Sequence, residues 1–303
     1  MIDIDNLKNE NIVVEKRLTA EILTPMRMYG WRKIKTNNQK PVRAELRIPA
    51  LKRLLRYWWR SLQQDLSLEE LLEKEQNFFG RTDGSQETMS LLLLVLEIPL
   101  VNLRNKKPIV PRKNGILTFA LKEEKEFTIV FKVLKKNEKF LLDYYWYARL
   151  MMMLSGFGQR AKRGAGAVQL IDSHWETIDE FQNELKKMLI NLQKDHFFEF
   201  PNDGCMLKSK RIESSFPVLN HVWIGKSYIK ANKCCHDIIE AGNFANPANG
   251  KQLLGKNRKN HQTSQLHATV RKIGNYYYPI ISEVITPIDL KRRRYLETRA
   301  KFL

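Results

Sequence analysis

Hydrophobic and polar positions alternate along the first half of the chain in a way that predicts strands and helices in turn. β-Branched residues predict a first strand over 13–23. Apolar residues three and four positions apart then predict a helix that begins near Ile48, with Pro49 suited to its first turn. The apolar stripe of this helix consists of Leu51, Leu54, Leu55, Trp58 and Leu62.

The rest of the first half continues the same alternation. A second helix is predicted over 68–78, and strands are predicted over 91–96, 116–121 and 127–134. The segment 140–154 is apolar on nearly all sides, which indicates a helix buried against a sheet. A strand over 167–171 closes the series, and the resulting order (strand, helix, strand, strand, helix, strand) is typical of a ferredoxin-like, or RRM-like, fold with insertions.

The second half has strand patterns at 218–224, 267–273 and 276–285, with a helical pattern at 232–241. This arrangement favours a second, degenerate copy of the same unit. We therefore predict an α+β protein with two ferredoxin-like domains, 1–172 and 173–303.

A glycine-rich loop, 155–166, joins the buried helix to the last strand of the first half. Its four glycines permit positive φ and close approach of the main chain to a ligand, and its cations would stand beside exposed backbone N–H groups. The dinucleotide fingerprint would need glycine at Ala161, and a P-loop would end in Gly-Lys-Ser/Thr, so a polymeric phosphate ligand fits better. The alternative is a simple turn with solvated charges. The residues assigned to RNA binding here are Gly156, Phe157, Gly158, Gln159, Arg160, Lys162, Arg163 and Gly164.

Charge points to the same kind of ligand. The chain of 303 residues has 52 Lys and Arg against 33 Asp and Glu, a net charge of +19, which attracts polyanions through counterion release. Cations on one side of the first helix and just before it are predicted to form one wall of an RNA groove that the glycine loop faces. These cations are Arg43, Arg47, Arg53, Arg56 and Arg60. A solvated basic face is the alternative.

A second cationic surface is predicted in the second half, where no acid occurs between Glu240 and Glu283. It includes Lys256, Arg258 and Lys259, along with Arg271 and Lys272.

Several classes of protein fit the sequence poorly. No apolar segment approaches the roughly 18 residues of a membrane-spanning helix, and the first residues do not resemble a secretory signal. Three cysteines, an odd number, favour reduced thiols, so we expect a cytoplasmic protein without membrane contact. Cys234 and Cys235 are adjacent and lack the spacing of a zinc knuckle, so neither a metal nor a cofactor is expected.

Several segments, in order along the chain, resemble the RAMP proteins of CRISPR effector complexes, in particular the first-numbered RAMP subunit of the type III-B (Cmr) complex. The match spans most of the chain. The matching segments are Leu23-Thr24-Pro25, 45–49 leading into 54–60 (Leu-Leu-Arg-Tyr-Trp-Trp-Arg), Asn77-Phe78-Phe79-Gly80, and the glycine loop.

The resemblance implies RRM-like folds whose glycine loops contact RNA. It also implies a subunit that does not cut the target and that engages guide RNA (crRNA), target RNA, or both, near the guide's 3′ region, alongside other Cmr subunits. Ala165 stands where RAMP loops more often have an aromatic residue, so the loop is expected to hold backbone rather than to stack on bases.

Two other functions remain open from the sequence. One is a metal-free endoribonuclease that processes CRISPR precursor RNA, with His261 as its base; such RAMP enzymes typically carry the glycine loop near the C-terminus, whereas here it closes the first half. The other is a stand-alone basic RNA chaperone or ribosome-associated protein, which would not need Tyr57 and Trp59 as exposed partner surfaces.

Overall fold

The fold is known from a computed structural model that describes residues 12–28, 45–80, 90–98, 120–121, 123–245, 265–290 and 299. Some predicted features lie outside these residues. They are most of the strand predicted at 116–121, Arg43, Lys256, Arg258, Lys259 and His261.

The first half forms a four-stranded antiparallel sheet with the predicted order of elements. Its strands are β1 (Val13–Ile22), β2 (Leu93–Glu97), β3 (Glu126–Leu134) and β4 (Val168–Leu170), arranged β2-β3-β1-β4. Helices α1 (Ile48–Ser61) and α2 (Leu68–Phe79) lie between β1 and β2 in the chain, and α3 (Lys139–Leu154) lies between β3 and β4. The α2 helix is the predicted insertion.

The α1 and α2 helices form where the sequence predicts them, and aromatic side chains join them. Pro49 occupies the first turn of α1. At the start of α2, Ser67 and Glu70 form a reciprocal capping box, which satisfies two N–H groups at the helix end. Trp59, which we expected to be exposed, is buried and stacks on Phe78 with ring centres 5.9 Å apart. The prediction of a partner surface at Trp59 is therefore wrong.

The second half forms a five-stranded antiparallel sheet. Its strands are β5 (Phe198–Glu199), β6 (Cys205–Ser209), β7 (Val218–Ile224), β8 (Leu266–Ile273) and β9 (Tyr276–Ile285), in the order β5-β6-β7-β9-β8. Its helices are α4 (Ile178–Asn191), α5 (Ala231–Ala245) and α6 (Pro287–Leu290). The predicted strands and α5 are present, whereas the short strands β5 and β6 had no clear sequence pattern. The mixed α+β class is confirmed.

The α3 helix lies between the two sheets. It contacts β1, β3 and β4 on one side and β8 and β9 on the other, while α5 covers the opposite face of the second sheet. Every side chain from Tyr147 to Leu154 is buried. A helix with a sheet on each side has little surface left for polar residues, which explains why Arg149 is the one charged residue between Tyr147 and Leu154.

Both halves also contribute to one buried apolar cluster, with Leu150 from α3, Phe181 from α4 and Val284 from β9 among its members. The division of the chain after residue 172 stays a prediction.

The segment at that predicted division is bound to neighbouring helices. Arg149 of α3 is buried and donates to Asp172 Oδ2 at 2.6 Å, to Ser173 Oγ at 2.8 Å and to Glu184 Oε1 at 3.2 Å. Charge-assisted hydrogen bonds of this kind are stronger than neutral ones. Arg149 therefore fixes residues 172–173 between α3 and α4.

The burial of α3 predicts a strong dependence of stability on its apolar residues. Leu150→Ala should lower the free energy of unfolding by about 2–5 kcal/mol, because it leaves a cavity between the sheets. Leu142 is 51% exposed on the same helix, so Leu142→Ala should change it by no more than about 0.5 kcal/mol. Urea unfolding of both variants measures the difference, and equal effects would contradict the position of α3.

Candidate nucleic-acid interface

The glycine loop is anchored to the chain just after β1. The hydroxyl of Thr24 donates to the Gly164 carbonyl at 2.7 Å and accepts from the Ala167 backbone N–H at 2.9 Å. The Gly166 N–H donates to the Pro25 carbonyl at 3.1 Å. The Leu23-Thr24-Pro25 segment thus holds the end of the loop. These contacts explain why the segment and the glycine loop occur in the same chain.

The loop glycines are required by the fold itself. Gly158 has φ +86°, and a Cβ there would overlap the carbonyl of Arg27. At Gly164, with φ +78°, a Cβ would lie 3.0 Å from Ile238 Cδ1 on α5. The Phe157 side chain is 1% exposed and packs edge-on against Phe127. Gly156, Phe157 and Gly164 are buried, so they support the loop and do not present a surface to RNA.

The backbone N–H groups of the loop are largely engaged inside the protein. The Gln159 N–H donates to Arg27 O at 2.6 Å, and the Gly164 N–H donates to Ala268 O at 2.8 Å. Other donors to protein carbonyls are the backbone N–H groups of Phe157, Ala161, Arg163 and Gly166. We expected these N–H groups to be exposed to a ligand. In the structure they instead donate to protein carbonyls, and these bonds fix the conformation of the loop. Any attraction for phosphate comes mainly from the side chains.

The side chains at the tip of the loop are accessible. Gly158, Gln159 and Arg160 are exposed, and Lys162 and Arg163 are half-buried. Burial, followed by the nearby charge of Arg160, lowers the pKa of Arg163. Cations in such proximity repel one another, and a bound polyanion would relieve that repulsion.

The α1 helix and the loop meet at Tyr57. The Lys162 ammonium lies 5.3 Å from the centre of the Tyr57 ring, a cation–π distance. Burial, and then the charge of Arg53, lowers the pKa of Lys162 to about 8. The Tyr57 hydroxyl shares a 2.7 Å hydrogen bond with His267 Nε2 on β8, which fixes the ring. The two elements assigned to one groove are therefore neighbours, and Arg53, which is exposed, lies close enough to Lys162 for their charges to interact.

Arg56 and Arg60 have a different environment. Both contact Glu75, a buried carboxylate on α2: Arg60 Nε donates to Oε2 at 2.7 Å, and Arg56 Nε lies 3.2 Å from Oε1. Arg56 also donates to the Gly80 carbonyl at 3.2 Å and lies 5.3 Å from the Phe79 ring centre. These two cations bind α1 to α2. The pattern Arg-aromatic-Trp-Trp-Arg (56–60) with Phe-Phe-Gly (78–80) therefore serves mainly to pack the two helices together.

Other predicted cations are placed as follows. Arg47 Nε is 3.7 Å from Glu45 Oε1. Arg271, predicted on a second cationic surface, is wholly buried, which corrects that part of the prediction. Its guanidinium lies against the end of α3, where it donates to the Ser155 carbonyl at 2.7 Å, whereas Lys272 on the same strand is exposed.

The open face of the first sheet does not have the chemistry of an RNA platform. Its charges pair with each other: Lys132 Nζ is 2.9 Å from Glu15 Oε2, and Arg17 donates to Glu97 at 2.8 Å. Because side chains alternate along strands, the aromatic rings of β3 point to the helical side. RRM domains use aromatic side chains on this face to stack bases, and the described strands show none there.

Metal chemistry and membrane insertion find no support in the described residues. They contain no group of three or more His, Cys, Asp or Glu placed to hold a metal. Cys234 and Cys235 are buried, and burial raises the pKa of both thiols. No helix in the described part of the chain has the length and hydropathy that crossing a bilayer requires.

The overall fold is similar to that of chains in solved structures of Cmr1 and of the type III-B Cmr-beta complex. One similar structure is apo Cmr1 from Pyrococcus furiosus, with a TM-score of 0.58 and 15% identity over 90% of this chain and 88% of that chain. No protein-family model matches the sequence, and no curated protein matches it.

Two further matches are chains of the type III-B Cmr-beta complex, both solved by cryo-electron microscopy with cognate target RNA. The chain from the complex that also holds AMPPnP, in the presence of ssDNA, has a TM-score of 0.55 and 13% identity over 95% of this chain and 99% of that chain. The other has a TM-score of 0.54 and 12% identity over 96% and 100%. At these identities the likeness is one of fold, and at that level the resemblance to the first Cmr RAMP subunit is confirmed.

The close approach at Gly158 can be tested against a second glycine of the same conformation. Gly204 has φ +83° but open space around it, so Gly204→Ala should cost only the left-handed strain, about 1–2 kcal/mol. Gly158→Ala should cost about 1–3 kcal/mol more, because its methyl group meets the Arg27 carbonyl. Thermal unfolding measures both, and an equal loss would contradict the packing of the loop on Arg27.

Proposed function

We propose that this chain is a non-catalytic RNA-binding subunit of a type III-B CRISPR effector, equivalent to the first RAMP subunit. The observation that carries the proposal is the meeting of two basic elements at Tyr57, where Lys162 of the loop lies over the ring beside Arg53 of α1. This occurs in a chain that shares the fold of Cmr1 over most of its length.

The topology supports two ferredoxin-like units within this fold. The first sheet has the β-α-β-β-α-β order with β1 and β3 at its centre. In the second sheet, β7, α5, β8 and β9 follow in the order of the first half of such a unit, and their strands lie as β7-β9-β8. The position that a final strand would occupy beside β7 is taken by β6, which makes the second unit degenerate.

The RNA surface that we propose is centred on the exposed and half-buried cations of the loop and α1. Arg160 and Arg163 of the loop, with Lys162 and Arg53 beside them, would contact phosphates. Arg56 and Arg60 would contribute less, because Glu75 offsets part of their charge. The predicted contacts of Arg43, Arg47, Gln159, Lys256, Arg258 and Lys259 remain part of the proposal.

Contacts of this type position an RNA without reading its sequence. Specificity would then come from pairing between guide RNA and target RNA, as in other RNA-guided complexes. The matched Cmr-beta chains belong to assemblies bound to cognate target RNA, which supports guide RNA, target RNA and other Cmr subunits as partners here. The 3′ region of the guide is the place that the family resemblance implies.

The non-catalytic assignment has a direct test against the endoribonuclease alternative. A metal-free ribonuclease needs a general base within hydrogen-bond reach of the 2′-hydroxyl. His267, whose neighbour Ala268 bonds to the loop, is 2% exposed and bonded to Tyr57, which suits a structural role. Incubation of the purified protein with a CRISPR repeat RNA should leave the RNA intact. Cleavage at a defined position that disappears in His261→Ala would instead establish the enzyme.

Removal of Arg160, which is exposed, and Arg163, which is half-buried, should weaken RNA binding and its dependence on salt. Arg160→Ala with Arg163→Ala should lower affinity for unrelated single-stranded RNAs about equally. It should also reduce the slope of log affinity against log salt by about 1.4, since each lost phosphate contact is worth about 0.7. Fluorescence anisotropy of labelled RNAs across a salt series measures both quantities.

A control variant separates the loop from net charge. Arg17→Ala with Lys132→Ala also removes two cations, but from the open face of the first sheet. This control should leave the salt slope unchanged. The proposal fails if both double variants lose affinity and slope equally, or if the loop variant keeps the slope of the unaltered protein.

A further inference from the structure

Strand β8 of the second sheet contacts both ends of the glycine loop. Near the end of the loop, the Ala268 N–H donates to the Lys162 carbonyl at 3.1 Å, and the Gly164 N–H donates to the Ala268 carbonyl at 2.8 Å. At the start of the loop, Arg271 reaches the carbonyl of Ser155 at 2.7 Å. The loop leaves the first half of the chain, but a strand of the second half fixes where it begins and ends.

Arg271 bridges the last turn of α3 to β8. Its Nη2 donates to the carbonyls of Met152 and Ser155, and its Nη1 donates to Thr269 Oγ1 at 2.8 Å and to the Val270 carbonyl at 2.6 Å. The last carbonyls of a helix lack partners within the helix and carry a partial negative charge. A cation with two donor nitrogens satisfies them and holds them against the strand.

The guanidinium of Arg271 is buried, and burial disfavours its charged form. Arg271 is 0% exposed, and its four acceptors named above are uncharged oxygens. Burial lowers its pKa to about 9. Buried charged groups are often replaceable by apolar residues without loss of stability, so a stabilising role alone is a weak explanation for this one. The planar guanidinium does offer what an apolar residue cannot, namely a fixed direction between two partners.

We propose that Arg271 is a positioning residue for RNA binding: by fixing Ser155 to β8, it sets the place and direction of the loop that carries Arg160, Lys162 and Arg163. This inference rests on the proposed function of the loop. On this proposal, a residue of the second half positions the RNA-binding loop of the first half. Arg271 itself does not contact RNA.

The test measures RNA affinity and its salt slope by fluorescence anisotropy, with labelled single-stranded RNA and the full chain. Arg271→Met should lower affinity about tenfold and flatten the slope by about 1. Arg271→Lys keeps the charge but loses the two-nitrogen guanidinium. Its RNA affinity and salt slope should therefore lie between those of the unaltered protein and of Arg271→Met. Arg149→Met is the matched control. Arg149 is a buried arginine like Arg271, but it lies on α3 and bonds to Asp172 and Glu184 rather than to the loop. This control should keep affinity within about twofold and the slope unchanged.

A double-variant cycle separates positioning from general damage. In the Arg160→Ala, Arg163→Ala background, Arg271→Met should lower affinity by less than about twofold, since the cations it positions are gone. An equal loss in both backgrounds would overturn the inference, as would a folded Arg271→Met protein with unaltered affinity and slope. If Arg271→Met does not fold, Thr269→Val provides the test, because it removes one hydrogen-bond acceptor of Arg271. Thr269→Val should lower RNA affinity about two- to threefold when Arg160 and Arg163 are present, and should leave it unchanged when they are replaced by Ala.

The two proposals can fail separately. An unaltered protein that binds no RNA, or binds without dependence on Arg160 and Arg163, would refute the proposed function. Loop-dependent binding that is indifferent to Arg271 would refute this inference alone.

Discussion

The burial of α3 between two sheets is the constraint on which the rest of the molecule depends. From Tyr147 to Leu154 this helix has no solvent-facing side, so its C-terminal carbonyls end in the interior, where unpaired backbone groups are costly. Ser155 donates from its hydroxyl to Met151 O at 2.7 Å, and Arg271 supplies donors from the second sheet. The glycine loop therefore leaves the core from a fixed point, and bonds to both halves of the chain hold it.

This origin determines which cations belong to the proposed RNA surface. The open face of the first sheet has its cations paired with Glu15 and Glu97 and, in the described strands, no ring on which a base could stack. At the junction between α1 and the loop, cations lie close together instead, and burial, followed by the charge of Arg53, lowers the pKa of Lys162. A surface of this kind attracts phosphate backbone strongly and distinguishes bases weakly. Such a surface fits the proposed role, in which the guide RNA carries the sequence information.

Local patterns were sufficient to predict most elements of the fold. The stripe of α1, the apolar α3 and the strands of the first sheet all follow from periodicity, because each reflects burial of one side or of all sides. The strands β5 and β6 could not be found this way: β5 has only two residues, and a register shift between Cys205 and Leu207 interrupts the alternation of β6.

The roles of single side chains depended on contacts far apart in the sequence. Phe157 is adjacent to exposed loop residues but turns into the core against Phe127, 30 positions earlier in the chain. Arg60 has the pattern of a surface cation, but a carboxylate on the following helix, Glu75, binds it. Arg271 follows the alternation of a strand, and only the fold shows that the end of α3 lies beside it. Sequence spacing carries no information about such partners.

The most direct test of the central claim is a cryo-electron microscopy structure of the assembled effector with guide and target RNA. The account predicts RNA phosphates within hydrogen-bond distance of Arg160 or Arg163, with Arg53 on the neighbouring side and the open face of the first sheet free of RNA. RNA lying across that face near Arg17 and Lys132, with the glycine loop turned away from it, would contradict the account.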